Sequence, residues 1–275
     1  MKNFESITRK AILIGCPGGN DNFLSGVRKD LENMSRFLQS NKGGAWTRNE
    51  IIVLQNPNSF EALNLVNQTT ADYIFVYFSG HGFSSLNNSR MLMLRDQAIA
   101  DCDLLNDSPR QLVIIDACRN YSAPGLSGVP EFDEHVDHFE SAAYEAFSEG
   151  IACSPDGKLI VHATQPGKYS YDSPSGGYFT QALLHVATRM KTEEYYSPCR
   201  VKSVLFHVPA LLKKYGNNQI PNIAYQSGNL TVPFALGSYV DTLANKKNEK
   251  SGELIGATLL IGLVVCIVIA ASSSN

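Results

Sequence analysis

Five short apolar runs, each bounded by polar or glycine-containing punctuation, constrain this chain more than any other feature. They read "KAILIGC" (Lys10 to Cys16), "EIIVL" (Glu50 to Leu54), "YIFVYFS" (Tyr73 to Ser79), "QLVIIDA" (Gln111 to Ala117) and "KLIVHAT" (Lys158 to Thr164). Apolar character that is continuous rather than alternating predicts strands buried on both faces, as in a parallel sheet. After the first run, Val27, Leu31, Met34 and Leu38 recur at helical spacing until Gly43-Gly44. Asn58 with Glu61 three residues on predicts the capped start of a helix through about Gln68. Another helix is expected from about Tyr178 to Met190. Strands alternating with helices imply right-handed crossovers and a mainly parallel sheet with helices on both faces, an α/β sandwich of three layers.

In such sheets ligands sit beyond the carboxyl ends of the strands. Two reactive side chains fall there. His81, bracketed by Gly80 and Gly82, follows the third run, and Cys118 follows the fourth. The glycines are expected to supply positive-φ geometry or close backbone approach. Strands of successive βα units usually lie side by side, so both residues are expected at one rim. A free thiol is mostly protonated at neutral pH and needs a base, which an imidazole within hydrogen-bond reach supplies. Main-chain N–H groups at Gly82 and Cys118 are the expected oxyanion donors. The chemistry implied is acyl transfer, with peptide-bond hydrolysis through a thioester as its leading form. Taken singly, a cysteine after an apolar strand is a small buried hydrophobe and a lone histidine is structural. It is the pairing that favours chemistry.

The bulk numbers exclude other classes. Apolar residues make up 44% and charged residues 18%, which rules out wholesale disorder, and a net charge of −3 gives no basic surface for nucleic acid. No phosphate-binding GxxxxGK[ST] loop is present. The six cysteines lack paired metal-ligand spacing and read as mostly reduced thiols. Leu254 to Ala271 is 18 residues without a charge. At 1.5 Å per residue it spans ~27 Å, close to the ~30 Å hydrocarbon thickness. A buried core helix is the alternative, but the segment has no amphipathic face. Lys246, Lys247 and Lys250 precede it and no Lys or Arg follows, which places the preceding domain in the cytosol. The expected organisation is a domain over 1–237 with an acidic insertion loop over 119–157, a polar linker over 238–253 and a single-pass tail anchor over 254–271. No secretory signal is read at the N-terminus.

"YFSGHG" followed by "IIDACRN" resembles the caspase-like cysteine peptidases, which include caspases, paracaspases and metacaspases. The resemblance extends over roughly residues 10 to 237. "GVRKDLENMSRFL" resembles the family's first helix and "ATQPGKYSYDSPSGGYFTQALL" its fifth strand, substrate loop and following helix. "NQIPNI" resembles the start of its last strand region. The resemblance implies a caspase-like αβα sandwich, His81 and Cys118 as the catalytic dyad, and the Gly82 and Cys118 amides as the oxyanion site. It also implies a further departure. Where caspases carry Gln-Ala-Cys and an arginine in "YSWR", this chain has Asp116-Ala117-Cys118 and "YSYD", with Asp172 in the arginine's place. Leu24 falls near a second arginine position. A pocket lined by Asp116 and Asp172 repels an acidic substrate side chain and pairs with Arg or Lys, so cleavage after basic residues is expected, as in metacaspases and paracaspases. Asp116 is open to a second reading, as a helix-capping or loop-fixing carboxylate.

From Asn120 to Gly157 there is no Lys or Arg but eight Asp or Glu. An enzyme specific for basic residues finds sites only at the edges, Arg119 and Lys158, so a single-chain active form, or one cut only at Lys158, is expected. An amphipathic helix through Val136, Phe139 and Phe147 is expected within the insertion. The acidic run "DEHVDH" lacks EF-hand rhythm, and His135 and His138 read as part of a solvated face. No metal residue is assigned, although the resemblance raises calcium as an activator. The expected partners are protein or peptide substrates with a basic residue before the scissile bond, a lipid bilayer, and an activating partner or a second copy. Two alternatives remain: a catalytically silent scaffold that recruits partners at a membrane, and a thiol hydrolase or transferase acting on non-peptide acyl groups.

Overall fold

The computed structural model describes residues 7–85, 90–118 and 139–239. In chain order the elements are β1 (Arg9–Cys16), α1 (Val27–Gln39), β2 (Ile51–Gln55), α2 (Ser59–Gln68), β3 (Tyr73–Ser84), β4 (Arg90–Met93), β5 (Ala98–Ala100) and β6 (Arg110–Cys118). They continue with α3 (Ser141–Ala152), β7 (Gly157–His162), α4 (Tyr178–Arg189), β8 (Lys191–Thr192), β9 (Pro198–Arg200), α5 (Val201–Lys214), β10 (Asn222–Gly228), β11 (Pro233–Leu236) and β12 (Ser238–Tyr239).

Six strands lie side by side in the order β10-β7-β6-β3-β1-β2. All neighbours are parallel except β10, which runs antiparallel to β7 at one edge. The two-residue side-chain period sorts each central strand into two cores. Ala11, Leu13, Phe75, Tyr77, Leu112 and Ile114 pack with α1, α3, α4 and α5 on one face. Ile12, Ile14, Val76, Phe78, Val113 and Ile115 pack on the other with Ala62 and Val66 of α2 and with the β4–β5 hairpin. The five runs read from the sequence are the five parallel strands, and the sandwich has the three expected layers.

Several expectations need correction. The third strand does not stop before His81; β3 continues to Ser84, because β4 pairs with its extension through Gly82, Phe83 and Ser84. Neither Gly80 nor Gly82 has a positive φ. Close approach, the other expected reason, is what holds: a Cβ on Gly80 would lie 2.5 Å from the Cys16 carbonyl oxygen, and one on Gly82 would lie 2.7 Å from the Ala117 Cβ. The insertion is not all loop, since α3 occupies residues 141–152. Phe147 is buried there, but Phe139 lies before the helix and is exposed, and Val136 is outside the described residues. Lys158 sits within β7, paired with β6 and β10 on either side, so a protease cannot extend that segment through its cleft without dismantling the sheet. Ser238 and Tyr239, read as linker, form β12 against β8. The hairpin β4–β5, helix α5 and the small strands β8, β9 and β11 had no prediction.

No helix among the described residues is long and apolar enough to cross a membrane. The segment Leu254 to Ala271, Arg119, the run Asp133 to His138 and Lys246 to Lys250 lie outside the described residues.

Arg9 fixes the start of β1 at the rim where the parallel strands begin. Its side chain is fully buried, pairs with Glu50 at 3.1 Å and donates to the Gly44 carbonyl at 2.9 Å. The guanidinium carbon lies 4.6 Å from the Trp46 ring centre and 4.1 Å from that of Tyr144. A buried charge held this way is costly to unpair, because deletion leaves Glu50 and the carbonyls without their partner. Arg9→Ala is expected to lose roughly 3 kcal/mol or more of stability, measured as a lowered urea midpoint; an unchanged midpoint would contradict this role.

Candidate active site

The parallel register brings the two reactive residues to one rim. His81 and Cys118 are Cα partners on the adjacent strands β3 and β6, and Cys118 ends its strand. The ring of His81 is half-buried, and its Nε2 lies 2.5 Å from the Asn22 carbonyl oxygen. A carbonyl only accepts, so Nε2 carries the proton in this contact and Nδ1 keeps the lone pair that a base requires. The turn after β1 presents that carbonyl. Asn22 Oδ1 accepts from the Gly19 N–H at 2.9 Å, and the Asn22 N–H donates to the Gly19 carbonyl at 3.1 Å. Gly18 adopts φ +85°, and a Cβ there would stand 2.7 Å from His81 Nε2. Residues 17–22 had not been singled out in the sequence, yet Pro17-Gly18-Gly19 directly after a strand is the signal that would have pointed to them. Gly82 is opposite Leu92 of β4, one residue beyond His81.

Beside this rim three carboxyls converge on the start of α4. Asp116, on β6, is completely buried. Its Oδ2 accepts from the Thr180 N–H at 3.1 Å and the Thr180 hydroxyl at 2.7 Å, while Oδ1 accepts from the Ser170 hydroxyl at 2.9 Å. Thr180 is the third residue of α4, so Asp116 caps that helix from a neighbouring strand and pins the loop before it. The capping reading of Asp116 is therefore correct as far as it goes. Asp172, in that loop, is nearly buried, and its Oδ2 accepts from the Gly26 N–H at 3.1 Å. Asp30 of α1 is the third member. Its Oδ1 accepts from the Gly177 N–H at 2.9 Å and its Oδ2 from the Ser79 hydroxyl at 2.7 Å.

Gly177 is the hub of the cluster. A Cβ there would lie 2.3 Å from Asp116 Oδ2 and 3.3 Å from Asp30 Oδ2, so both acids reach the helix start only because that position is glycine. Gly176, at φ +116°, leaves room for Asp30 Oδ1 in the same way. Burial pushes the Asp172 carboxyl up to about 6; its bond from Gly26 opposes the shift and the charge of Asp116 adds to it. Burial also holds Asp30 well above the usual carboxylate range, reinforced by the charges of Asp116 and Asp172. The site thus confines negative charge that a cationic side chain would relieve.

The sequence reading had Asp116 and Asp172 but not Asp30. Asp30 falls three residues after Val27 and four before Met34, on the apolar stripe of α1, where a carboxylate without a local reason is itself a signal. Leu24 is buried against Val27 and takes no part in the acidic cluster. Among the described residues no group of three or more His, Cys, Asp or Glu is placed to hold a metal ion.

Comparison with known proteins accords with this fold. The caspase domain family matches residues 8–233. Among solved structures, caspase-1 from Spodoptera frugiperda is 18% identical with a TM-score of 0.53, over 84% of this chain and 90% of that one. Protein GSU0716 from Geobacter sulfurreducens is 15% identical with a TM-score of 0.52, over 83% of this chain and 99% of that one. At such identities these two likenesses concern the fold alone. A search of curated proteins gave no match. With more than three quarters of its length matched, an α/β sandwich of the same architecture and the Gly-His-Gly and Asp-Ala-Cys stretches on adjacent strands, the chain belongs to the caspase domain family, whose members are cysteine peptidases.

Proposed function

We propose that this protein is a membrane-anchored cysteine endopeptidase of metacaspase or paracaspase type that cleaves after Arg or Lys. The observation that carries the specificity is the gathering of Asp30 and Asp116 at Gly177, with Asp172 at Gly26 in the adjoining loop contact, beside the His81–Cys118 rim. A buried arginine or lysine side chain there would be attracted by like charges that now repel one another, whereas an acidic side chain would add to the repulsion. Asp172, the most accessible of the three, is the carboxylate that meets the incoming cation first. Asp116 and Asp30 act behind it, shaping the loop and helix start and supplying field.

In the proposed reaction, His81 Nδ1 takes the Cys118 thiol proton as the sulfur attacks the scissile carbonyl. The resulting oxyanion is held by the Gly82 and Cys118 N–H groups. His81 then returns the proton to the leaving amine as the C–N bond breaks, and a thioester remains. Water, deprotonated by the same imidazole, attacks the thioester and releases the acid and the thiol. The Asn22 carbonyl holds the ring in the tautomer this requires. Residues 254–271 would anchor the domain in a bilayer with the domain on the cytosolic side. Calcium is retained as an activator to be tested, with no residue assigned to it.

Three outcomes test this reading. Fluorogenic peptides with Arg before the scissile bond are expected to exceed their Asp counterparts in kcat/KM by at least about 100-fold, the scale of a like-charge juxtaposition in a buried pocket. Cys118→Ala should abolish turnover and Cys153→Ala should not. Equal rates on both peptides, or turnover surviving Cys118→Ala, would contradict the proposal.

Asp172→Asn separates function from stability. A carboxyl raised from 3.8 to about 6 gives the folded state stability that is full below 3.8 and is lost as pH rises through about 6. The amide imitates the protonated form and still accepts from Gly26. The variant is therefore expected to gain on the order of 2 kcal/mol at neutral pH and to lose the wild-type decline between those limits, while its kcat/KM on the Arg peptide falls at least about tenfold. Greater stability with undiminished activity would remove Asp172 from the pocket.

The active form is also expected to keep one chain. Intact mass spectrometry during turnover should show no cut between Asn120 and Lys158, whereas fragments ending at Asp133 or Asp137 would contradict basic specificity.

A further inference from the structure

The course of α1 and α4 separates two ends of the domain. Both helices begin beside the acidic cluster, at Gly26 and Gly177, and run back along the sheet. With 13 and 12 residues they carry the chain about 20 Å at 1.5 Å per residue. The C-terminal segment is pinned at their far ends. The Leu236 N–H donates to the Lys42 carbonyl at 2.7 Å and the Ser238 N–H to the Met190 carbonyl at 3.0 Å, just beyond α1 and α4 respectively. The side chains of Lys42 and Ser238 also meet. Arg9, at the start of β1, bonds the neighbouring Gly44 carbonyl, so this is the rim where the parallel strands begin. Tyr239, the last described residue, therefore lies at the rim opposite the candidate active site.

At that rim two tyrosines are presented together. Tyr195 is 73% exposed and Tyr239 is 42% exposed, and their rings stack at 5.5 Å with planes 20° apart. The turn that lifts Tyr195 outward is held against a local preference. Tyr196 has φ +55°, unusual for a bulky residue, and its hydroxyl bonds Glu140 at 2.5 Å while Asn41 bonds the same carboxylate at 3.0 Å. Exposed tyrosines with an apolar body and a polar tip are enriched where a bilayer meets water. The residues beyond Tyr239 lead to the uncharged stretch 254–271 through 14 residues, 240–253, whose fully extended length is at most about 50 Å. Exposed Glu193 and Glu194 border the pair and exposed Lys191 stands beside Ser238, so the patch has mixed charge and gives no attraction specific to anionic lipid.

We propose that the Tyr195–Tyr239 rim is the membrane-facing surface of the domain, seated in the headgroup layer of a zwitterionic bilayer, and that the rim of His81 and Cys118 is thereby turned away from the lipid toward soluble protein substrates. This rests on the anchor reading of residues 254–271. The full chain, incorporated into phosphatidylcholine vesicles, would be compared with vesicles whose acyl chains are brominated close to the glycerol. Trp46, the chain's single tryptophan, is buried and gives the baseline. Tyr195→Trp is expected to lose about half of its added emission to the brominated lipid, as a ring in the interfacial layer would. Phe83→Trp, at the exposed end of β3 beside His81, is expected to keep its emission. Tyr239→Trp repeats the measurement should the first variant fold poorly. Vesicle-bound protein with no quenching at 195 or 239, or with equal quenching at 83, overturns the orientation while leaving the anchor intact. Protein that fails to float with the vesicles overturns the anchor reading and this proposal with it.

Discussion

The start of α4 is the point on which the rest of the site depends. It offers main-chain N–H groups to two carboxylates delivered by other pieces of the chain, Asp116 from β6 and Asp30 from α1, while Asp172 stands in the loop just before the helix. Asp116 and Asp30 are bonded there directly, and Asp172 ties the loop back to Gly26. Gathering like charges under cover is unfavourable, which is why burial first and the neighbouring carboxylates second raise Asp30 and Asp172 rather than lower them. Hydroxyls of Ser79, Ser170 and Thr180 and the helix-start amides offset part of that cost. What remains is a site less stable than it needs to be for folding alone. That is an arrangement suited to receiving a cationic side chain.

The second constraint is the parallel sheet. A parallel ladder sets His81 and Cys118 in register without any special loop, and the same ladder sets Ser79 opposite Asp116 two residues earlier. Distance along the strands thus separates the reacting rim from the acidic cluster by about two residues, roughly 7 Å at strand rise. That is the reach of a long side chain lying beside its own scissile bond. The turn at 17–22 completes the rim from the next strand over, its Asn22 carbonyl fixing the imidazole.

The five parallel strands and the helices α1, α2 and α4 were legible because continuous apolar runs and helical stripes are local signals. The positions of His81 and Cys118 were legible because two glycines flank the one and a strand end marks the other. Of the two reasons expected for Gly80 and Gly82, close approach holds and positive φ does not; which strand approaches, Cys16 on one side and Ala117 on the other, was not legible because sequence carries no distance. Asp30 was hidden by its helix, since its partners Ser79 and Gly177 are 49 and 147 residues away. The hairpin β4–β5 and strands β8, β9, β11 and β12 are two to four residues long, below the length at which periodicity says anything. Tyr239 read as linker because its partner, Tyr195, is paired only through the fold.

The central claim is that one thiol, one imidazole and an acidic pocket act on the same peptide, and a structure of the full chain with a covalent peptide inhibitor carrying arginine before its reactive carbonyl tests it most directly. The account predicts a bond from the Cys118 sulfur to the inhibitor, with the guanidinium about 3 Å from Asp172 and directed toward Asp116 and Asp30. An adduct on any other cysteine, or a guanidinium lying in solvent with the three carboxyls undisturbed, would contradict it.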